Sequence, residues 1–285
     1  MLKKRLLASL IVSNGIVVQS IGFKKYLPVG RPHIAVEYLN YWGIDEIVLL
    51  DINATLEKRE PDYDCILECA KYCFVPLTVG GGIRTVNQIR NVLSAGADKV
   101  SINSVFLENP DFISEAAAIF GEQCIVVSID VYGGSVYSYK DKKTLNQSPV
   151  IFARKAEQCG AGEIFLNSVD RDGSKMGYDL DLIHIVTESV NIPVVACGGA
   201  GHPAHFHKAL LVENLSGVAA GNYFHFTEHS VIVTKAYLES QKVSTRLNTY
   251  ADYRDNNIDV NGRRTRKSDE VLQSLRFKDY PQEVI

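Results

Sequence analysis

The stretch Gly43–Asp51, GIDEIVLLD, has a counterpart at Gly160–Ser168, GAGEIFLNS, and the two set Glu46 against Glu163. Each is a short apolar run opened by one glutamate, as in a strand covered on both faces. The offset of 117 residues recurs in the glycine turns: VGGGI pairs with CGGAG, so Gly81 meets Gly198 and Gly82 meets Gly199. With one or two insertions, RLLASLIV (5–12) matches CIVVSIDV (124–131), and ADKVSINS (97–104) matches LSGVAAGN (215–222). The chain is therefore two copies of one unit of about four strands.

Working outward from these runs gives eight strands: 4–12, 46–50, 75–79, 98–102, 124–130, 163–168, 193–197 and 216–220. Helical patterns such as VNQIRNVLSAG and PVIFARKAEQCG lie between most of them. Eight β-then-α units close naturally into a single (β/α)₈ TIM barrel, here over residues 1–246. An open doubly wound sheet is the alternative fold. Beyond Arg246 the pattern stops, and 247–285 reads as a polar C-terminal extension with one weakly amphipathic stretch, DEVLQSLRF.

A chain of 285 residues that is 46% hydrophobic and 22% charged is long enough to bury one large barrel core. Its net charge of −3 argues against a nucleic-acid partner. No apolar run reaches the length that spans a membrane. The start, MLKKRLLASLIV, reads better as a buried first strand than as a signal peptide, because no small-residue cleavage site follows. Six cysteines without a zinc-type spacing fit reduced thiols in a cytoplasmic protein. Cys65, Cys69 and Cys73 stand four apart, a stripe of small apolar groups on one helix face rather than a metal site. His202, His205 and His207 lack a patterned carboxylate or thiol and read as solvated residues at a helix start. Neither metal nor cofactor is expected.

Barrel sites lie at the C-terminal ends of the strands. There the sequence places Ile11, Asp51, the glycines 80–82, Asn103-Ser104, Asp130, Asp170–Gly173, the turn Gly198–Gly201, and Gly221-Asn222. Two glycine turns at repeat-equivalent positions, each followed one unit later by Asn103 or Asn222, suit phosphate. A ligand with a phosphate at each end would match the two-fold repeat. At the opposite strand ends stand Arg5, Glu46, Lys99 and Glu163. Arg5 and Ile11 are six apart and so share one face of their strand. The four charges form either an ionic ring across the barrel floor or ordinary salt bridges at its rim, and spacing alone leaves both open.

Together, MLKKRLLASLIVSNGIVV, GIDEIVLLDINATLEKR, TVGGGIR, GADKVSINS, SVDRDGSKMGYD and CGGAG resemble the HisF family, the cyclase subunit of imidazole glycerol phosphate synthase. The resemblance covers roughly residues 1–246. It implies that Arg5, Glu46, Lys99 and Glu163 gate ammonia arriving from a HisH-like glutaminase docked on the barrel floor, with Asp98 at that interface. It also implies phosphate contacts at Gly81, Gly82, Asn103, Ser104, Asp172, Gly198, Gly199, Gly221 and Asn222. The family's second catalytic aspartate falls on Asp130, but its first falls on Ile11, which can neither donate nor accept a proton. A basic residue of the first loop is replaced by Gln19. HisA-type isomerases share the half-barrel repeat but lack the four-charge gate. A kept gate with a lost acid resembles HisF-like paralogues of surface-polysaccharide synthesis, which implies a further, sugar-modifying amidotransferase partner. The alternatives are a histidine-pathway cyclase with altered acid/base groups, or a non-catalytic scaffold that activates the glutaminase.

Overall fold

The structure is a computed structural model that describes residues 3–226, 229–246, 258–260, 263–266 and 268–274. Eight strands form the barrel: β1 (Arg5–Ser13), β2 (Glu46–Asp51), β3 (Leu77–Gly80), β4 (Lys99–Ile102), β5 (Ile125–Tyr132), β6 (Glu163–Ser168), β7 (Val194–Cys197) and β8 (Leu215–Ala220). Every neighbouring pair is parallel, and β8 pairs with β1 to close the ring, so no strand edge of the barrel is left open.

Alternation along the strands sorts side chains into two cores. Leu6, Ala8, Leu10 and Val12 of β1 face outward into the layer shared with the helices. Leu7 faces inward and meets Val48, Val126, Phe165, Val195 and Ala219, a closed apolar layer across the lumen. Odd positions of β1 and even positions of β2 thus point into the barrel, which puts Arg5 and Glu46 below that layer and Ile11 and Leu50 above it.

The repeat reaches further than the strands. The helices Tyr63–Ala70 and Leu180–Thr187 are each opened by an aspartate, Asp62 or Asp179, that accepts a backbone N–H three residues on. These caps are also 117 apart. The glycine turns match as well. A side chain on Gly81 would meet the Asp51 carbonyl at 2.2 Å, and one on Gly198 the Ser168 carbonyl at 2.6 Å, so both turns need glycine for close backbone approach.

Three sequence expectations need correction. β1 and β5 do not end at Ile11 and Asp130; each runs two residues further and turns into an antiparallel hairpin. Strand Ile16–Ile21 folds back on β1 and pairs with Lys25–Gly30, while Ser135–Ser138 folds back on β5. Cys65 and Cys69 share a helix, but that helix ends at Ala70. Cys73 lies beyond it and donates its Sγ–H to the Val75 carbonyl. The histidines are half-buried rather than solvated: His202 caps the helix Pro203–Leu210 and His205 accepts from the Gly201 N–H.

The helix Ser230–Ser240 closes the outer layer, and its Lys235 is only 2% exposed. Lys235 Nζ donates to Asp45 Oδ1 at 2.6 Å and to the Gly43 carbonyl, and Asp45 Oδ2 accepts the Leu6 N–H at 2.8 Å. The proposed division at 246/247 falls where residues 247–257 lie outside the described set. Of the DEVLQSLRF stretch, Asp269–Ser274 is helical. No helix among the described residues is long and apolar enough to cross a membrane, and no cluster of three or more potential ligands there could hold a metal.

Candidate functional site

The floor of the barrel carries the ionic ring. Arg5 bonds Glu46 at 2.6 Å and also Glu163, while Lys99 bonds Glu163 at 2.8 Å and Glu46 at 3.3 Å. Two cations and two anions therefore alternate in a closed circuit. The glutamate side chains are 8% exposed, so this is not a solvated rim. Such a ring is costly to desolvate, and apolar replacements of buried pairs are often neutral or stabilising. Asp98 sits exposed beside it on the floor, with one carboxylate oxygen accepting the Leu77 N–H at 2.8 Å.

The inner face of the barrel also carries small buried hydroxyls, Ser9, Thr78, Ser101 and Ser128, with Thr78 level with Val48 and Lys99 in the strand register. Asp130 stands at the top of β5. Its Oδ1 accepts from Asn167 at 3.0 Å and its Oδ2 from Asn103 at 3.2 Å; Asn103 also donates to the Ser128 carbonyl. Burial pushes the Asp130 carboxyl up to about 6, against the opposing pull of the Asn167 and Asn103 amides. A carboxyl poised near neutrality suits general acid/base work. Asn167 is the cross-strand neighbour of Asp130, just as Leu50 is of Ile11. In the second half-barrel that position holds a hydrogen-bonded polar pair; in the first it holds two aliphatic side chains.

The expected phosphate residues divide between two adjoining cavities. Gly81, Gly82, Asn103 and Ser104 line the first, of about 320 Å³, together with Asp130, Lys58 and Arg84. Asp172, Gly198, Gly199, Gly221 and Asn222 line the second, of about 50 Å³. Ile11, Ser20, Phe23, Leu50 and Asn167 line both and form the partition. The polar atoms of several expected contacts are already engaged. Asn103 is spent on Asp130, and the Gly82 N–H donates to Thr55 Oγ1 at 3.3 Å. Asn222 accepts the Ser20 N–H at 3.1 Å and donates to the Ser20 carbonyl at 2.6 Å. Asp172 accepts from Ser20 Oγ at 2.7 Å and from the Phe23 N–H at 3.2 Å.

Residue-by-residue reading of the sequence missed Asn167, Phe23 and the tyrosines, and placed Asp170 at a strand end without its role. Asp170 accepts the Gly133 N–H at 2.7 Å, so the loop after β6 grips the β5 hairpin with Asp170 and the β1 hairpin with Asp172. Tyr26 and Tyr139 join the two hairpins through their hydroxyls at 3.1 Å and roof the first cavity. The only sequence signal for them was the aromatic density of FKKY and VYSY.

The histidine biosynthesis protein family matches residues 5–230. A Vibrio vulnificus protein, provisionally named imidazole glycerol phosphate synthase subunit hisF2, is 45% identical over 92% of this chain and 98% of its own length. The Clostridium botulinum imidazole glycerol phosphate synthase subunit HisF is 42% identical over 87% of this chain and all of its own length. With the closed eight-stranded barrel, its half-barrel repeat and these matches in hand, the chain belongs to the histidine biosynthesis protein family, in its HisF branch.

Proposed function

We propose that this chain is a HisF-like synthase subunit that receives ammonia through its barrel from a docked HisH-like glutaminase. The carrying observation is the closed Arg5–Glu46–Lys99–Glu163 ring beneath an apolar lumen that leads to Asp130. The ring excludes water and hydrated ions from the floor, whereas a neutral ammonia molecule can pass when one ion pair opens. At the top, the first cavity takes a phosphorylated small molecule, with Gly81, Gly82, Ser104 and Arg84 around the phosphate and Asp130 at the reacting end. Ile11 leaves the first-strand side without an acid or base. That favours ammonia delivery for amination or amidination in nucleotide-sugar, surface-polysaccharide synthesis over ring-closing chemistry that needs proton transfer on both sides.

The test has two parts. Expressed in a strain lacking its histidine-pathway cyclase, the chain should fail to restore histidine-free growth; restoration would favour the cyclase reading that the relatives' names suggest. With a HisH-type glutaminase, Lys99→Ala should leave glutamine hydrolysis running while nitrogen delivery to the acceptor falls. An unchanged ratio of product to glutamate released would remove the channel role from the ring. A nitrogen-containing product made by this subunit would exclude a purely scaffolding role.

A further inference from the structure

The geometry points to a site built for a ligand with one phosphate, made so by the β1 hairpin, whose tip narrows the second phosphate half-site. The inference rests on the reading that the top face takes a phosphorylated small molecule, and it narrows the class of that molecule to a phosphomonoester.

The repeat lays out two equivalent half-sites, but the structure leaves them unequal, about 320 Å³ against about 50 Å³. What bounds and narrows the second is the β1 hairpin, whose Ser20 and Phe23 line it around the turn Ile21–Lys24. Gly22 and Phe23 both take left-handed backbone angles, φ +60° and +57°, and the Lys24 N–H closes the turn on the Ile21 carbonyl. For phenylalanine that conformation costs about 1–2 kcal/mol, so surrounding contacts must hold it. They do. The Gly22 N–H donates to the Asp172 carbonyl, the Phe23 N–H and Ser20 Oγ donate to the Asp172 carboxylate, and Asn222 clasps the Ser20 backbone from both sides. The Phe23 ring stands edge-on to Tyr139 at 5.6 Å and to Tyr137 at 6.3 Å, locking the tip to the β5 hairpin.

Charge agrees with shape. Of the charges lining the first cavity, Glu108 pairs with Lys140 and Asp51 with Arg59, which leaves Lys58 and Arg84 against Asp130, whereas the second presents the Asp172 carboxylate. Its cation, Lys175, has its ammonium 3.8 Å from the centre of the Phe226 ring. Phosphate at the second half-site would have to break the Asn222 clasp and approach a carboxylate. At the first it meets cations and a free volume bounded by Phe23 and Tyr139, against which a sugar or flat ring can lie.

Equilibrium dialysis with labelled inorganic phosphate tests this on the purified chain. One equivalent should bind, weakened about tenfold or more by Arg84→Ala, the usual loss for a charge-assisted bond, and unchanged by Lys175→Ala. The double variant Phe23→Gly with Asp172→Asn, which removes the partition ring and the opposing charge while keeping a glycine-compatible turn, should bind a second equivalent. Two equivalents on the unaltered chain, or one that is lost with Lys175→Ala instead of Arg84→Ala, would overturn the inference and leave the phosphate reading standing. A double variant that still takes one equivalent would overturn the role of the hairpin tip. No binding at all would refute the phosphate reading itself.

Discussion

Asp130 offers a measurable consequence of its burial. Its carboxyl is displaced from 3.8 to about 6, because burial disfavours the charged form more than the Asn167 and Asn103 amides favour it. At 1.36 kcal/mol per unit, ionising this group in the folded chain costs about 3 kcal/mol more than in the unfolded chain. The folded state holds the proton more tightly, so Asp130 adds its full stability below about pH 4. That contribution fades as pH rises and is gone above about pH 6. Asp130→Asn removes the titration. The substitution also turns an amide N–H towards donors from Asn103 and Asn167, which shifts stability by a constant amount at every pH. The quantity to follow is therefore the difference between unaltered and variant chains in urea unfolding from pH 4 to pH 7.5. It should drift by about 3 kcal/mol, with the unaltered chain losing ground as pH rises. A difference flat to within about 0.5 kcal/mol would refute the idea that burial governs this carboxyl.

Other expectations follow from particular contacts. Given the histidine-pathway ribonucleotide intermediate and ammonium, the chain should turn over about 10²–10⁴-fold below a normal cyclase, the usual cost of a missing acid/base group. Ile11→Asp should recover part of that loss in the same steady-state assay, and no recovery would show that the site differs in more than this residue. Gly199→Ala, whose new methyl would fall 2.1 Å from the Gly177 carbonyl at φ +97°, should cost about 2 kcal/mol or more. Gly133→Ala, in open space at φ +56°, should cost only about 1 kcal/mol in the same unfolding experiment. Lys235→Met should cost about 3–5 kcal/mol by stranding Asp45 in the interior, and adding Asp45→Asn should return much of it.

What the sequence showed was what the barrel's period enforces. β6 has the very limits, Glu163–Ser168, that its apolar run marks. The inward alternation of β1 carries Arg5 to the floor and Ile11 to the top without further information. The first turn of each hairpin was legible, since Asn14-Gly15 and Gly133-Gly134 stand between the paired strands with left-handed backbone angles; only the second turn of the β1 hairpin was hidden, for a physical reason. SIGFKKYLPVG has no Asn-Gly or Asp-Gly turn, and Phe23 reaches its left-handed angle only because Asp172, 149 residues away, holds its N–H. The Asn222 clasp spans 202 residues. Local pattern could name Asp172 and Asn222 as residues at strand ends, but not that their polar atoms grip a loop. Cys73 fell off its helix for a smaller reason: a spacing of four continues on paper past the point where the helix stops at Ala70.

The Lys235–Asp45 link has a consequence for how the chain is made. Its partners are 190 residues apart, and bringing such distant points together costs about 4–5 kcal/mol of chain entropy. During synthesis β1 emerges before the other barrel strands, yet its second neighbour, β8, is the last of them, and the helix that carries Lys235 follows β8. At about 5–20 residues per second, β1 waits some tens of seconds with one edge unpaired. The nascent protein thus passes through an open curved sheet with two bare rims, the form in which strands most readily add to those of another chain. Release of Ser230–Ser240 from the ribosome, which seats Lys235 on Asp45, ends that exposure. A ribosome stalled before Ser230 should hold a chain that engages chaperones, and one stalled well after Ser240 should hold a chain that does not.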